Sequence, residues 1–101
     1  MNNDTAAAAL ATAAQSLTNT LWAPEFDASY GSFATTHTHV GDWQVSVSER
    51  RAGAYEVRIW KGHDIKFNAL CGARSIAEAL RIALGWDDRT EGCAAAIGMA
   101  A

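Results

Sequence analysis

From residue 43 onward, apolar and polar side chains alternate. Trp43, Val45 and Val47 are separated by Gln44, Ser46 and Ser48. Successive strand side chains point to opposite faces, so this run predicts a strand with one apolar and one polar face. Glu49-Arg50-Arg51-Ala52-Gly53 is polar, and Gly53 permits a turn. Tyr55, Val57 and Ile59 then alternate with Glu56, Arg58 and Trp60. Lys61-Gly62-His63-Asp64 is a second turn, after which Ile65, Phe67 and Ala69 alternate with Lys66 and Asn68. Short connections between β-rich runs predict an antiparallel meander over residues 40–70.

The period then changes to that of a helix, over residues 76–84. Ser75 and Glu78 have the spacing of a capping box, in which the two residues satisfy each other's backbone N–H groups. Ile76, Leu80, Ala83 and Leu84 form one apolar stripe, and Gly85 suits the C′ position that ends the helix. A sheet with one apolar face and a helix with one apolar stripe need each other. The stripe is therefore expected on Trp43, Val45, Val47, Tyr55, Val57, Ile59, Ile65 and Phe67.

Before the meander, residues 5–22 contain no charged side chain and many alanines. They predict a first helix, with Asp4 as N-cap and Pro24 as its stop. Its stripe is Leu10, Ala14, Leu17 and Leu21, which suits the sheet edge, the second helix or a second copy of the chain; the last would make a homodimer. Residues 25–36 read as a looser segment with an extra edge strand at 30–35, anchored by Phe26, Tyr30 and Phe33. Beyond the second helix, Trp86-Asp87-Asp88-Arg89-Thr90-Glu91-Gly92 reads as an acidic turn. Residues 93–101 are small and apolar, either a last helical turn or a frayed tail. The expectation is a single α+β domain over residues 1–101. It has an antiparallel sheet of three to four strands, with an N-terminal and a C-terminal helix packed on it.

At 101 residues the chain builds one small core. Its net charge of −3 argues against a general affinity for nucleic acid or anionic membrane. The uncharged first helix carries too much Gln, Asn, Ser and Thr to span a bilayer. The start, Met1-Asn2-Asn3-Asp4, lacks the positive n-region of a secretory signal. Cys71 and Cys93 are thus expected as thiols in a reducing cytoplasm.

Candidate chemistry is sparse, and no catalytic, cofactor or metal site is assigned. His37 and His39 would share one side of a strand, but two imidazoles do not make a metal site without a further ligand such as His63, Asp64 or Cys71. The cysteines lack CxxC spacing, and no phosphate loop or nucleophile elbow occurs. Asp87, Asp88 and Glu91 read as a solvated acidic turn, with an acidic patch for a basic partner as the functional alternative. Trp60 is the most informative residue. It falls on the polar face of its strand, among Arg58, Lys66, Asn68 and Gln44. Either the first helix covers it across the second face of the sheet, or it faces a partner as a hot spot.

Two resemblances follow. The order helix, three-stranded meander, helix resembles the double-stranded-RNA-binding domain, carried by residues 55–84 and by Ala73-Arg74-Ser75-Ile76-Ala77-Glu78-Ala79. That family grips phosphates with a Lys-rich cluster at this helix start, whereas this chain offers Arg74 alone, so RNA binding does not carry over. Gly53-Ala54-Tyr55-Glu56-Val57-Arg58-Ile59 and Ser75-Ile76-Ala77-Glu78-Ala79-Leu80-Arg81-Ile82-Ala83 sit in a small, acidic, Ala-rich chain similar to phage-encoded anti-CRISPR inhibitors. That resemblance implies stoichiometric blockade of a Cas effector subunit in the cytoplasm of a bacterial host. The expected function is a non-enzymatic, protein-binding inhibitor, with Trp60, Arg58, Lys66, Asp87, Asp88 and Glu91 as its partner surface. The alternative is a small nucleic-acid-binding module using Arg58, Trp60 and Lys66 on the sheet.

Overall fold

The computed structural model describes residues 3–27, 33–85 and 88–99. In chain order these form α1 (Asn3–Leu17), β1 (Ala23–Asp27), β2 (Phe33–Val40), β3 (Trp43–Arg51), β4 (Ala54–Lys61), β5 (Asp64–Gly72), α2 (Ile76–Leu84), a 3-10 turn (Asp88–Thr90) and α3 (Cys93–Ile97). The fold is α+β, with one antiparallel sheet in the order β1-β2-β3-β4-β5. The predicted meander forms as β3, β4 and β5. Each of its turns, and the one between β2 and β3, has two residues and a glycine at positive φ: Gly41, Gly53 and Gly62. Such turns match the twist of the strands they join.

Five strands replace the expected three to four. β2 forms where only residues 30–35 were read as extended, and β1 was missed. Thr35, Thr36 and Thr38 fill β2, and β-branched residues suit a strand. Pro24 does not stop a helix; it lies in β1, an edge strand, the part of a sheet in which proline is tolerated. Five strands also remove the likeness in element order to a three-stranded RNA-binding domain.

α1 ends at Leu17, five residues before the predicted helix end at residue 22. Thr18 Oγ1 donates to the Ala14 carbonyl at 2.8 Å and accepts from Trp22 Nε1 at 2.8 Å. Asn19 N donates to the Ile97 carbonyl at 2.9 Å, which pulls the chain toward α3. Leu21 is therefore off the helix and 83% exposed. The face that packs is Ala7, Leu10, Ala11 and Ala14, small enough to bring α1 close to β1, β2 and α2. Asp4 lies within the first turn of α1 rather than at its cap.

α2 follows the sequence closely. Ser75 is the N-cap, and its Oγ accepts from Glu78 N at 3.2 Å. The Glu78 carboxylate accepts from Arg74 Nε at 3.3 Å. Gly85 ends the helix at φ −99°, outside the left-handed region expected of a C′ glycine. Ile76, Ala79, Leu80 and Ala83 are buried, and Leu84 is partly so. Of the two alternatives for residues 93–101, the helical turn forms over Cys93–Ile97, with Cys93 and Ile97 buried. Gly98, at φ +70°, is held to glycine by conformation and because a Cβ there would collide with Asn19.

Both α1 and α2 lie on one face of the sheet. Across the strands that face carries the rows Thr36-Val47-Val57-Ala69 and Thr38-Val45-Ile59-Phe67. The two buried threonines donate to backbone carbonyls, Thr36 to Ala23 at 3.1 Å and Thr38 to Leu21 at 2.8 Å.

Two outcomes test this packing. Leu80→Ala should lower unfolding free energy by about 2–5 kcal/mol in urea titration, because Leu80 is wholly enclosed. Ser75→Ala should lose about 1 kcal/mol while Ser75→Asp stays near wild type, since aspartate also accepts from the N3 amide.

Candidate binding surface

The strand alternation that fills the core leaves an opposite face with its own rows. One is Glu25-Thr35-Ser48-Glu56-Leu70, the next Ala23-His37-Ser46-Arg58-Asn68, the third His39-Gln44-Trp60-Ile65. α1 packs on β1 and β2 from the core side and touches α2, so it does not cover Trp60.

Small hydroxyls occupy the middle of this open face. Thr35 Oγ1 and Ser48 Oγ are 2.8 Å apart, and both residues are buried. Arg58 lies across them, with Nη2 donating to Ser46 Oγ at 3.2 Å and to Ser48 Oγ at 3.5 Å. It is only 6% exposed. A buried guanidinium is strongly destabilising unless its N–H groups are bonded, and the serines supply part of that bonding. The Arg58 guanidinium carbon lies 5.9 Å from the centre of the Trp60 ring, within cation–π range. Arg58 thus supports Trp60 from within the face instead of offering its charge to solvent. Trp60 itself is half-buried.

A second cation–aromatic contact stands beside the first. Arg50 lies 3.8 Å over the Phe33 ring and donates from Nη1 to Glu56 Oε1 at 3.1 Å. Phe33 is therefore an anchor on the open face rather than in the core. His37 Nδ1 lies 3.2 Å from Glu25 Oε1, an ion pair when the imidazole is protonated, though not at a hydrogen-bond angle.

A register shift between Ile59 and Trp60 changes the reading of β5. Ile59 pairs with Phe67 but Trp60 pairs with Ile65, which leaves Lys66 as the extra residue. Such a bulge sets two residues against one. Ile65 is thereby moved from the expected core to the open face beside Trp60, where it is 58% exposed. Leu70, on the same face, is 52% exposed. Lys66 leaves the simple alternation, and its Nζ lies 4.0 Å from Asp64 Oδ2.

Of the residues expected at a partner surface, the fold brings Arg58 and Trp60 together. Asp88 and Glu91 are exposed but belong to the turn after α2, which packs against β5 and holds Thr90 to the Ala83 and Leu84 carbonyls. Trp86, Asp87 and Tyr30, and the side chain of Phe26, lie outside the described residues. The sequence reading missed Leu70 and the placement of Ile65. The apolar Leu70 in the open-face row of β5 was available as a signal, whereas the bulge was not.

His37 and His39 share the open face, while Cys71 pairs with Tyr55 in the core-facing register and cannot join them. Among the described residues no three His, Cys, Asp or Glu side chains group as metal ligands. Cys71 and Cys93 are free thiols, both buried. Burial pushes the Cys93 thiol up to about 12 and raises Cys71, so neither is an activated nucleophile. Tyr55 is also raised, first by burial and then by the nearby Glu49 carboxylate.

These shifts fix an alkaline limb. Below pH 9 the folded and unfolded chains both hold the Cys93 proton. Between its ordinary 9.0 and about 12 only the folded chain does, so stability falls as pH rises through that window. Urea midpoints taken from pH 7 upward should be flat to about pH 9 and then decline, by at most about 1.4 kcal/mol per pH unit for each such group. Cys93→Ala should flatten the decline.

No family model matches this chain, and neither a curated protein nor a solved structure matches it.

Proposed function

We propose that the protein is a non-enzymatic inhibitor that binds a partner protein through the β4–β5 side of its open sheet face. The exposed pair Ile65 and Leu70, sharing that face with Trp60, carries this reading. Apolar side chains held in water next to a supported Trp are what a protein interface buries at its centre. Among the described residues the open face also shows no basic stripe of the kind that nucleic acid requires. Arg50 is matched by Glu56, Lys66 by Asp64 and His37 by Glu25, in a chain of net charge −3.

The resemblance to phage-encoded anti-CRISPR proteins gives the partner its class, a Cas effector subunit blocked stoichiometrically in a bacterial cytoplasm. Asp88 and Glu91, with Asp87 before them, would steer the protein toward a Lys/Arg-lined surface. The membrane is no part of this proposal, and no helix among the described residues is long and apolar enough to cross one.

The test is binding to purified Cas effector complexes, with target cleavage measured alongside. Cleavage should stop at one inhibitor per complex. Trp60→Ala should weaken binding by about 2 kcal/mol, about thirtyfold, with the melting temperature nearly intact. Changing Asp88 and Glu91 to Lys should mainly slow association and alter its salt dependence. If Trp60→Ala unfolds the protein, Trp60 is a packing residue and the surface is misassigned. Salt-sensitive RNA or DNA binding with no protein complex would replace this reading with the nucleic-acid one.

A further inference from the structure

The two edges of the sheet are built differently. β1 carries Pro24, Glu25 and Asp27, and proline and charge discourage another strand from pairing with an edge. β5 is the other edge, and its last six residues, Phe67-Asn68-Ala69-Leu70-Cys71-Gly72, hold neither charge nor proline. They pair regularly with β4, past the register shift that leaves out Lys66. The Ala73 N–H donates to the Gly53 carbonyl at 3.0 Å, one step beyond the Ala54–Gly72 pair. Antiparallel ladders alternate bonded and unbonded pairs, so Asn68, Leu70 and Gly72 turn their N–H and C=O groups away from β4. Asn68, Ala69 and Leu70 are all exposed, so the middle of this strand is open on both faces of the sheet. A groove of about 440 Å³ runs along it, with Ile82 of α2 on the helix side.

We propose that this edge pairs with the same edge of a second copy, antiparallel and centred on Leu70, so that two five-stranded sheets become one. The edge is self-complementary in that register. Leu70 meets Leu70 of the other copy, and Asn68 meets Gly72 on either side. All three outward residues of each copy are then used, in about six backbone bonds. A centre at Ala69 or Cys71 would use fewer. The side chains fit the same register. On the open face the two Leu70 side chains cover each other, each 52% exposed in the single chain, and Asn68 faces a glycine. On the helix side Phe67 faces Ala73 and Cys71 faces Ala69, larger against smaller. Beyond the seam Lys66 approaches Arg74 of the other copy, but each has its own carboxylate, Asp64 at 4.0 Å and Glu78 at 3.3 Å. α2 packs on both β4 and β5, which sets the two α2 helices about 10 Å apart across the seam, a packing distance for helices. Two-fold pairing consumes both β5 edges and leaves only the guarded β1 edges, so assembly stops at a dimer. α1 spends its apolar face on its own sheet and on α2, away from this seam. The inference is independent of the partner protein proposed above.

The test is the molar mass of the whole chain by sedimentation equilibrium, from about 1 µM to about 1 mM. The expected result is a reversible rise from 10.7 kDa to twice that mass. Amide exchange should slow with concentration at Asn68, Leu70 and Gly72 and stay unchanged along β1. Leu70→Lys and Leu70→Glu should each weaken association about tenfold or more, because like charges then meet at the centre of the seam. Mixed in equal amounts, the two variants should dimerise again, as the Leu70-to-Leu70 register requires. Their melting temperatures should stay near that of dilute wild type; if they unfold instead, amide protection in the wild-type chain decides. Trp60→Ala should leave dimerisation within about twofold, which separates this edge from the Trp60 surface. A monomer at about 1 mM, a dimer that survives both Leu70 substitutions, no recovery in the mixture, or concentration-dependent protection at β1 or α1 in place of β5 would each overturn the proposal.

Discussion

Val45 faces Ile59 and Val47 faces Val57 across β3 and β4, and none of the four is exposed. These two pairs divide the molecule. What lies on their side of the sheet is packed under α1 and α2, and what lies on the other must be stabilised without a helix. One sheet with both helices on one face has that consequence: the second face has to pack against itself or face water.

The open face does so by grading side-chain size. Thr35, Ser46 and Ser48 are small and central, so the longer chains around them fold inward over them. Arg58 is the largest of these. Lying flat over two serines, it satisfies part of its own hydrogen-bonding capacity and carries the Trp60 ring beside it. Arg50 performs a related task for Phe33 while holding Glu56. The polar half of the alternating pattern is thus a second, thin packing layer, and its aromatic residues are fixed in place by cations. A ring held this way loses little freedom on binding, which favours affinity.

The bulge at Lys66 changes the make-up of the open face. It brings Ile65 onto the open face next to Trp60 and ends the guarded portion of the edge strand. The face and the edge meet along β5. β5 thus lies between the apolar residues of the open face and the turn carrying Asp88 and Glu91.

The meander with its short connections, the capped second helix and the two-faced character of β3 and β4 are legible in the sequence alone. Those depend on neighbours two to four positions apart, where strand and helix periods act directly. It also put Trp60 and Arg58 together on the polar face. Tertiary structure decided the rest. β1 and β2 needed a sheet to pair with, because Pro24 and a run of threonines satisfy no local pattern strongly. The end of α1 was set by Trp22, Gln15 and Asn19 bonding across elements, and no period in the chain encodes contacts with Ile97. The face of Ile65 was decided by one unpaired residue in a ladder. A shift of one position exchanges the two faces of a strand, and only the pairing with β4 reveals where that shift occurs.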